Sequence, residues 1–183
     1  LGYSGKYYQN KVCQWIDVPL SEGKSGKRGT SKIREAEADR IAKEVQHLLQ
    51  AAGNSLSIGV ITFYAAQRDL IMEKLAKTEV NGISLMVRRD GELVPSEEFA
   101  TTLEGEEGLR VGSVDAFQGK EFDVVLLSCV RTFYEPKNKD KEISKKPKSD
   151  AEFKLGHEDK LNKLFGFLRL PNRMNVGMSR QKR

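Results

Sequence analysis

Two short apolar runs with a polar segment between them are the feature that most restricts the fold. The first run is 109–114 and the second is 122–130, and both are rich in valine and leucine. Apolar runs of this length that end at turn residues are typical of strands buried in a parallel sheet. The polar segment 115–121 is predicted to be a loop with about one helical turn. An α/β fold with a parallel sheet is therefore expected.

The polar segment carries groups that suit ligand binding. Gly119 permits a positive φ or the close approach of a ligand to the backbone, and it lies between the amide of Gln118 and the carboxylate of Glu121. In an open α/β sheet, ligands bind at the carboxyl ends of the strands, where this loop is expected. The same residues are also compatible with an ordinary connection between two strands.

Two amphipathic helices are predicted before these strands. Residues 32–52 form the clearest helix, with Ser31 as its N-cap, Gly53 as its stop and an apolar stripe. The stripe consists of Ile41, Val45, Leu48, Leu49 and Ala52. Residues 57–62 read as a buried strand and 64–77 as a second helix. A further strand is predicted at 12–19 from the alternation around Trp15 and Val18.

The remaining segments differ in composition. Residues 80–108 read as an irregular acidic insertion with a hairpin turn at Asp90 and Gly91. The second insertion, about 132–157, contains few apolar residues, and such composition predicts a segment without a core. Residues 171–180 read as a helix with Pro171 at its first position, where the missing N–H costs little. The domain prediction is one domain over 1–183, interrupted by the two insertions.

Composition excludes several classes of protein. No apolar run is long enough to cross a membrane, and we expect no signal peptide. With two cysteines and a lone His157 beside acids, a disulfide framework or a metal site is not expected. These features indicate a reducing, intracellular compartment. Because the first residue is Leu1, we expect the chain to be part of a longer protein.

Charge is distributed unevenly along the chain. Residues 1–130 contain 16 Lys and Arg against 19 Asp and Glu, whereas residues 131–183 contain 15 against 7. A basic C-terminal third suggests a polyanionic partner, either nucleic acid or nucleotide phosphate. For the part from 137 to 148, a solvated lysine-rich loop is the favoured explanation.

One phosphate-binding motif is present only in part. Gly23, Lys24 and Ser25 match the end of a P-loop, but Val18 occupies the position that requires the first glycine. No strand-to-helix junction is predicted around them either. We therefore reject a P-loop in this chain.

Three segments in a fixed order resemble a known family. Residues 58–67, IGVITFYAAQ, resemble motif IV of superfamily 1 helicases in the group of the nonsense-mediated-decay helicase and senataxin. Residues 113–121, SVDAFQGKE, resemble motif V, and residues 171–180, PNRMNVGMSR, resemble motif VI. The resemblance implies the second, C-terminal RecA-like domain, with the P-loop NTPase fold and a parallel sheet flanked by helices.

The resemblance also implies site residues. Arg180 would be the arginine finger that reaches the γ-phosphate of ATP, and Arg173 a supporting arginine. The backbone at Gly119 would approach the phosphates, Glu121 would contact the ribose, and Gln118 would link the two sites. The residues that would face single-stranded nucleic acid are Thr62, Ser113 and Gln67.

The function implied is the C-terminal motor domain of an ATP-dependent helicase that acts on single-stranded RNA or DNA. An N-terminal RecA-like domain of the same protein would supply the P-loop and the ligands of Mg²⁺, so this chain alone is expected to be inactive. We expect no metal site within the chain, no membrane partner and a monomer. The alternative is a nucleic-acid-binding module in a protein with a degenerate, non-hydrolysing motor.

Overall fold

A three-stranded parallel sheet organises the chain in the computed structural model, which describes residues 13–132, 161 and 165–182. In chain order the elements are β1 (Gly26–Arg28), β2 (Ser31–Ile33), α1 (Glu35–Ala52), β3 (Ile58–Thr62), α2 (Ala65–Leu75), β4 (Glu79–Val80), β5 (Ile83–Ser84), β6 (Met86–Arg89), β7 (Glu92–Pro95), α3 (Glu97–Ala100), β8 (Leu109–Ser113), β9 (Val124–Ser128) and α4 (Pro171–Met178). The central sheet has the order β8-β3-β9. Both outer strands run parallel to β3, so the carboxyl ends of all three lie at one edge. The predicted parallel sheet and its three strands are confirmed.

Helices α1 and α2 cover one face of the sheet. Because side chains alternate along a strand, Ile58 and Val60 of β3 point to this face while their neighbours point to the other. Four residues of the apolar stripe predicted for α1 are buried here together with Leu70, Ile71 and Leu75 of α2, whereas Ala52 is half-buried. Helices on both faces of a parallel sheet define the α/β, RecA-like architecture that was expected.

Two glycines allow the opposite face to be covered closely by the polar segment between β8 and β9. Val114–Phe117 forms a single 3₁₀ turn, as predicted, and Phe117 and Phe122 lie fully buried over the sheet. A Cβ on Gly59 would lie 2.9 Å from both rings, and one on Gly112 would lie 3.0 Å from Phe117. The two rings meet at a centroid distance of 5.3 Å. The segment therefore crosses the sheet in contact with its backbone.

Replacing Gly59 with alanine should destabilise the domain by about 1–3 kcal/mol, because the new methyl group overpacks two buried rings. Gly26 is the matched control, since a Cβ there meets only Ile33 at 3.9 Å. Gly26→Ala should change the unfolding free energy by less than about 1 kcal/mol. Urea unfolding of both variants measures the difference, and equal stabilities would contradict the close packing at Gly59.

Two local predictions about the start of the chain are wrong. The described part of 12–19 forms no strand, because it pairs with no other segment, and Trp15 is 78% exposed. Helix α1 begins at Glu35, with Arg34 and not Ser31 as its N-cap. Ser31 lies in β2, and its hydroxyl accepts a hydrogen bond from the Ala66 N–H at the start of α2, at 3.2 Å. The predicted stop at Gly53 is confirmed by its φ of 59°.

The first insertion is more regular than its composition suggests. Strands β6 and β7 form the predicted hairpin, and its turn residues Asp90 and Gly91 have φ values of 51° and 86°. A two-residue turn with two positive φ values matches the twist of the flanking strands. The extended stretch 83–89 is divided between β5 and β6 at Leu85, whose side chain is fully buried in the core.

Helix α4 begins at Pro171 as predicted and ends at Met178. The predictions for 133–160, including most of the second insertion and His157, lie outside the described residues. In the described part of the chain no helix combines the length and the apolar character needed to cross a membrane.

Candidate functional site

The loop 118–121 is exposed between two anchors. Phe117 and Phe122 are buried on either side of it, so the loop is held at both ends. Gly119 has a φ of 75°, and a Cβ there would meet nothing within 4 Å. The predicted positive φ is confirmed, and the open space leaves the peptide at Gly119 accessible. Gln118 and Glu121 are exposed beside it.

Arg180 lies against this loop. The Phe122 N–H donates to the Arg180 carbonyl at 2.8 Å, and the Lys182 N–H donates to the Phe122 carbonyl at 2.9 Å. The guanidinium donates to the Val176 carbonyl at 3.0 Å and lies 3.5 Å from the Lys120 carbonyl. Arg180 is therefore positioned by main-chain bonds to the segment that contains Gly119, although the two lie about 60 residues apart.

Helix α4 carries Arg173 onto the same face of the sheet. Gly177 brings the helix backbone close to β9 and the 3₁₀ turn, since a Cβ there would lie 3.1 Å from Leu127 and 3.7 Å from Val114. One turn earlier, the Arg173 guanidinium lies 3.4 Å from the carboxylate of Asp115. Both arginines of the predicted site are thus in contact with the segment between β8 and β9.

An ion pair between Glu107 of the acidic insertion and Lys120 stabilises the position of the loop 118–121. The Glu107 carboxylate accepts hydrogen bonds from Lys120 and Arg110, each at 2.5 Å. Partial burial opposes ionisation of Glu107, but these two cations outweigh it and hold its pKa below its ordinary value. The sequence placed Glu107 only in an acidic patch; its pairing depends on contacts that the sequence pattern does not encode.

Hydrogen bonds between Ser57 and Asp123 join the starts of β3 and β9. Asp123 accepts hydrogen bonds from the N–H and hydroxyl of Ser57, at 2.8 Å and 2.6 Å. Partial burial is outweighed by these bonds and by the nearby ammonium of Lys182, so the pKa of Asp123 is lowered. Lys182 also pairs with Glu106. The segment that follows Arg180 is thereby held in place by charge as well as by main-chain bonds.

The carboxyl ends of the strands bring three hydroxyl groups into register. Thr62 of β3 pairs with Ser113 of β8 and with Ser128 of β9. Thr62 is fully buried, and its hydroxyl has no hydrogen-bond partner among the described residues. Ser113 is partly exposed. Thr62 and Ser113, which were predicted to face single-stranded nucleic acid, therefore lie side by side. Only Ser113 reaches the surface in this conformation.

Gln67 is fully buried and bonded within the chain. Its amide oxygen accepts the Arg34 N–H at 2.8 Å, and its amide nitrogen donates to the Arg34 carbonyl at 3.2 Å and to Ser128 at 3.3 Å. Gln67 is therefore not exposed to solvent. Its polar atoms tie the start of α1 to the carboxyl edge of the sheet.

Glu37 is a member of this edge that the sequence analysis did not select. Its carboxylate accepts hydrogen bonds from the Ser128 hydroxyl at 2.9 Å and from the Val130 N–H at 3.0 Å. Val130 has a φ of 68°, a strained value for a β-branched residue. Burial, together with the negative charge of Glu37, raises the pKa of Cys129 to about 11. Glu37 therefore fixes the chain where it leaves β9.

Neither a P-loop nor a metal cluster is formed by the described residues. Gly23 follows a short 3₁₀ turn and leads into β1, with no strand-to-helix junction. Within 13–132 and the described residues after 160, no three His, Cys, Asp or Glu side chains could together hold a metal ion. At the loop 118–121, the accessible backbone at Gly119 and the guanidinium of Arg180 suit a phosphate.

The chain has a parallel α/β sheet, and the loop 118–121 contacts Arg180 just after the last helix. This arrangement is that of a RecA-like domain of the P-loop NTPase type. The chain belongs to the family described as AAA domain, which matches residues 4–183.

Curated relatives are helicases or regulators of nonsense transcripts. ATP-dependent helicase NAM7 of Saccharomyces cerevisiae is 32% identical over 154 residues, which cover 84% of this chain and 11% of that protein. Regulator of nonsense transcripts 1 of Caenorhabditis elegans is 30% identical over 154 residues, with 84% and 10% covered. The mouse (Mus musculus) 5'-3' DNA helicase ZGRF1 is 31% identical over 128 residues, with 68% and 6% covered. The chain thus spans about a tenth of the length of the first of these relatives, and its similarity is to helicases of superfamily 1.

Proposed function

We propose that this chain is the C-terminal motor domain of an ATP-dependent superfamily 1 helicase that moves on single-stranded RNA or DNA. The observation that carries the proposal is the main-chain bond between Phe122 and Arg180, at 2.8 Å. It joins the loop that resembles motif V to the arginine that resembles the finger of motif VI. The names of the relatives support ATP use and a nucleic-acid substrate.

On the nucleotide side, Arg180 would stabilise charge that develops on the transferred phosphoryl group. A guanidinium suits this role because it stays protonated and presents a planar set of donors. In this structure the guanidinium bonds to Val176 and Ser179 at the end of its own helix. Those neutral partners are weaker than a phosphate oxygen, so the side chain can leave them when a triphosphate binds.

The loop would hold the rest of the nucleotide. The accessible peptide at Gly119 would approach the phosphates, the exposed Glu121 would accept hydrogen bonds from the ribose, and Arg173 would support the arginine finger. When bound, Mg²⁺ neutralises charge on the β- and γ-phosphate oxygens. Its ligands and the P-loop would come from an N-terminal RecA-like domain of the same protein.

On the strand side, Ser113 would bond to a backbone phosphate. Thr62 lies beside it, and its buried hydroxyl would gain a partner if the edge opened. For Gln67 we propose a positioning role, because its amide is occupied by Arg34 and Ser128.

The segment 114–122 would couple the two sides. It begins beside Ser113 at the carboxyl edge of the sheet, contains Gln118, and ends at the bond between Phe122 and Arg180. A change in the position of Arg180 on hydrolysis would therefore be transmitted through this segment to Ser113, which would contact the nucleic acid. Opening and closing of two domains around this segment would move the nucleic acid.

Phosphate release tests the proposal. The isolated chain should release no phosphate from ATP, because the P-loop and metal ligands are absent from its described residues. The full-length protein should hydrolyse ATP, and single-stranded RNA or DNA should stimulate it. Turnover by the isolated chain would contradict the proposal. A full-length protein that binds single strands without hydrolysing ATP would instead be a binding module with a degenerate motor.

A further inference from the structure

We propose that the outer face of the hairpin β1–β2 binds backbone phosphates of single-stranded nucleic acid through Lys27 and Lys32, with Arg131 beside them. This inference rests on the proposed function and adds a contact surface that none of the three helicase-like motifs contains. We call Lys27, Lys32 and Arg131 the hairpin cation cluster.

The hairpin has two faces with different chemistry. Its strands pair in the register Gly26 with Ile33, Lys27 with Lys32, and Arg28 with Ser31. Residues directly opposite each other in an antiparallel pair point to the same face, and successive residues point to opposite faces. Lys27 and Lys32 therefore share one face, and the other two pairs share the other.

The face that carries Arg28 and Ser31 is docked against α2. Arg28 makes two hydrogen bonds to the carboxylate of Glu73, at 2.9 Å and 3.3 Å, and Ser31 accepts the Ala66 N–H at 3.2 Å. Ile33 packs against the core on the same side of the sheet as α2. Because α2 occupies this face, Lys27 and Lys32 point away from α2, and Lys27 is exposed while Lys32 is half-buried.

The outward face of the hairpin brings Lys27 and Lys32 together. Lys27 lies directly opposite Lys32, an arrangement that destabilises a hairpin. No carboxylate among the described residues lies within ion-pair distance of either lysine. Partial burial, and then the charges of Arg131 and Lys27, lower the pKa of Lys32. Such a pair is unfavourable in the domain by itself and would be relieved by an anion.

The hairpin cation cluster lies at the carboxyl edge of the sheet, where Ser113 is proposed to contact the nucleic acid. Arg131 is three residues beyond the end of β9, and its guanidinium donates to the Tyr64 hydroxyl at 2.8 Å, just beyond the end of β3. Ser25, at the base of the hairpin, bonds to Thr132 through its N–H at 3.2 Å and its hydroxyl at 3.1 Å. The hairpin is thereby attached to the edge at which Ser113 ends β8. A polyanion that crosses this edge at Ser113 would have the cluster on its path, which favours nucleic acid over an isolated phosphate.

Binding titrations of the full-length protein test the inference. A labelled single-stranded oligonucleotide is titrated by fluorescence anisotropy at several salt concentrations, with wild type, Lys27→Gln/Lys32→Gln, and the control Lys43→Gln/Lys77→Gln. The control removes two exposed lysines from α1 and from the turn after α2. The slope of log K against log salt is negative, and each lost phosphate contact reduces its magnitude by about 0.7 for single strands. The magnitude of the slope should decrease by about 1.4 for the hairpin variant and stay unchanged for the control.

A charge reversal separates binding from folding. Lys27→Glu would place opposite charges across the hairpin, so the melting temperature should hold or rise while binding weakens more than in Lys27→Gln. Equal affinities and slopes for wild type and the hairpin variant would overturn the inference, as would an equal loss in the control. A wild-type protein that binds no single strand would overturn the proposed function as well. Normal wild-type binding with an unchanged hairpin variant would overturn only the hairpin inference.

Discussion

Replacing Arg180 with alanine in the full-length protein should lower ATP turnover about 10³–10⁵-fold, the range measured for arginine fingers in related phosphoryl-transfer systems. Binding of single-stranded nucleic acid should change little, because Arg180 contacts the loop 118–121 and not Ser113 at the carboxyl edge of the sheet. Arg180→Lys should restore little activity, since lysine lacks the planar set of donors.

Structural damage gives a different result from loss of an arginine finger. If Arg180 only capped the end of α4 through the Val176 carbonyl, its loss would cost at most about 1 kcal/mol of stability and leave turnover near normal. Arg89→Ala is the control, because Arg89 is an exposed arginine on β6, far along the chain from the loop. Steady-state kinetics with a parallel thermal melt separate the two cases. Unchanged turnover in Arg180→Ala would remove the arginine-finger assignment.

Phe117→Ala should cost about 3–5 kcal/mol of stability, because the substitution deletes a fully buried ring and leaves a cavity. The ring fills the space above Gly59 and Gly112, and the Arg110 guanidinium lies 5.5 Å from its centroid. Phe117 also anchors one end of the loop 118–121, so a folded variant should hydrolyse ATP more slowly than wild type.

Phe165→Ala is the matched control for that substitution. Phe165 is 44% exposed, and surface substitutions change stability by less than about 0.5 kcal/mol in most cases. Chemical denaturation measures both variants. A loss for Phe117→Ala no larger than that for Phe165→Ala would mean that the loop does not depend on its packing over the glycines.

The fold was predictable where one local pattern determined the outcome. The valine- and leucine-rich runs indicated the places of β8 and β9, because short apolar runs that end at turn residues favour strands of a parallel sheet. Pro171 and Gly53 marked helix ends for reasons of backbone geometry that hold in any context. Trp15 shows the limit, since an alternating segment without a pairing partner does not become a strand.

The candidate site was predictable only in part, because sequence does not report which polar groups meet. Positive φ at Gly119 and an arginine after α4 were expected, but the bond that joins Phe122 to Arg180 requires the tertiary fold. Glu37 was not selected from the sequence, yet its position in the first turn of α1 points it at the end of β9. Gln67 was expected to face nucleic acid, but in the fold it is buried and its amide bonds to Arg34 and Ser128.

Strand separation by the full-length protein tests the motor assignment most directly. The substrate is a duplex with a single-stranded tail, prepared as RNA and as DNA and with the tail on either end. We expect ATP-dependent separation of at least one of these substrates, none with a non-hydrolysable ATP analogue, and none with Arg180→Ala. Tight binding to the tail with no separation and no ATP hydrolysis would contradict the assignment of this chain as half of a motor.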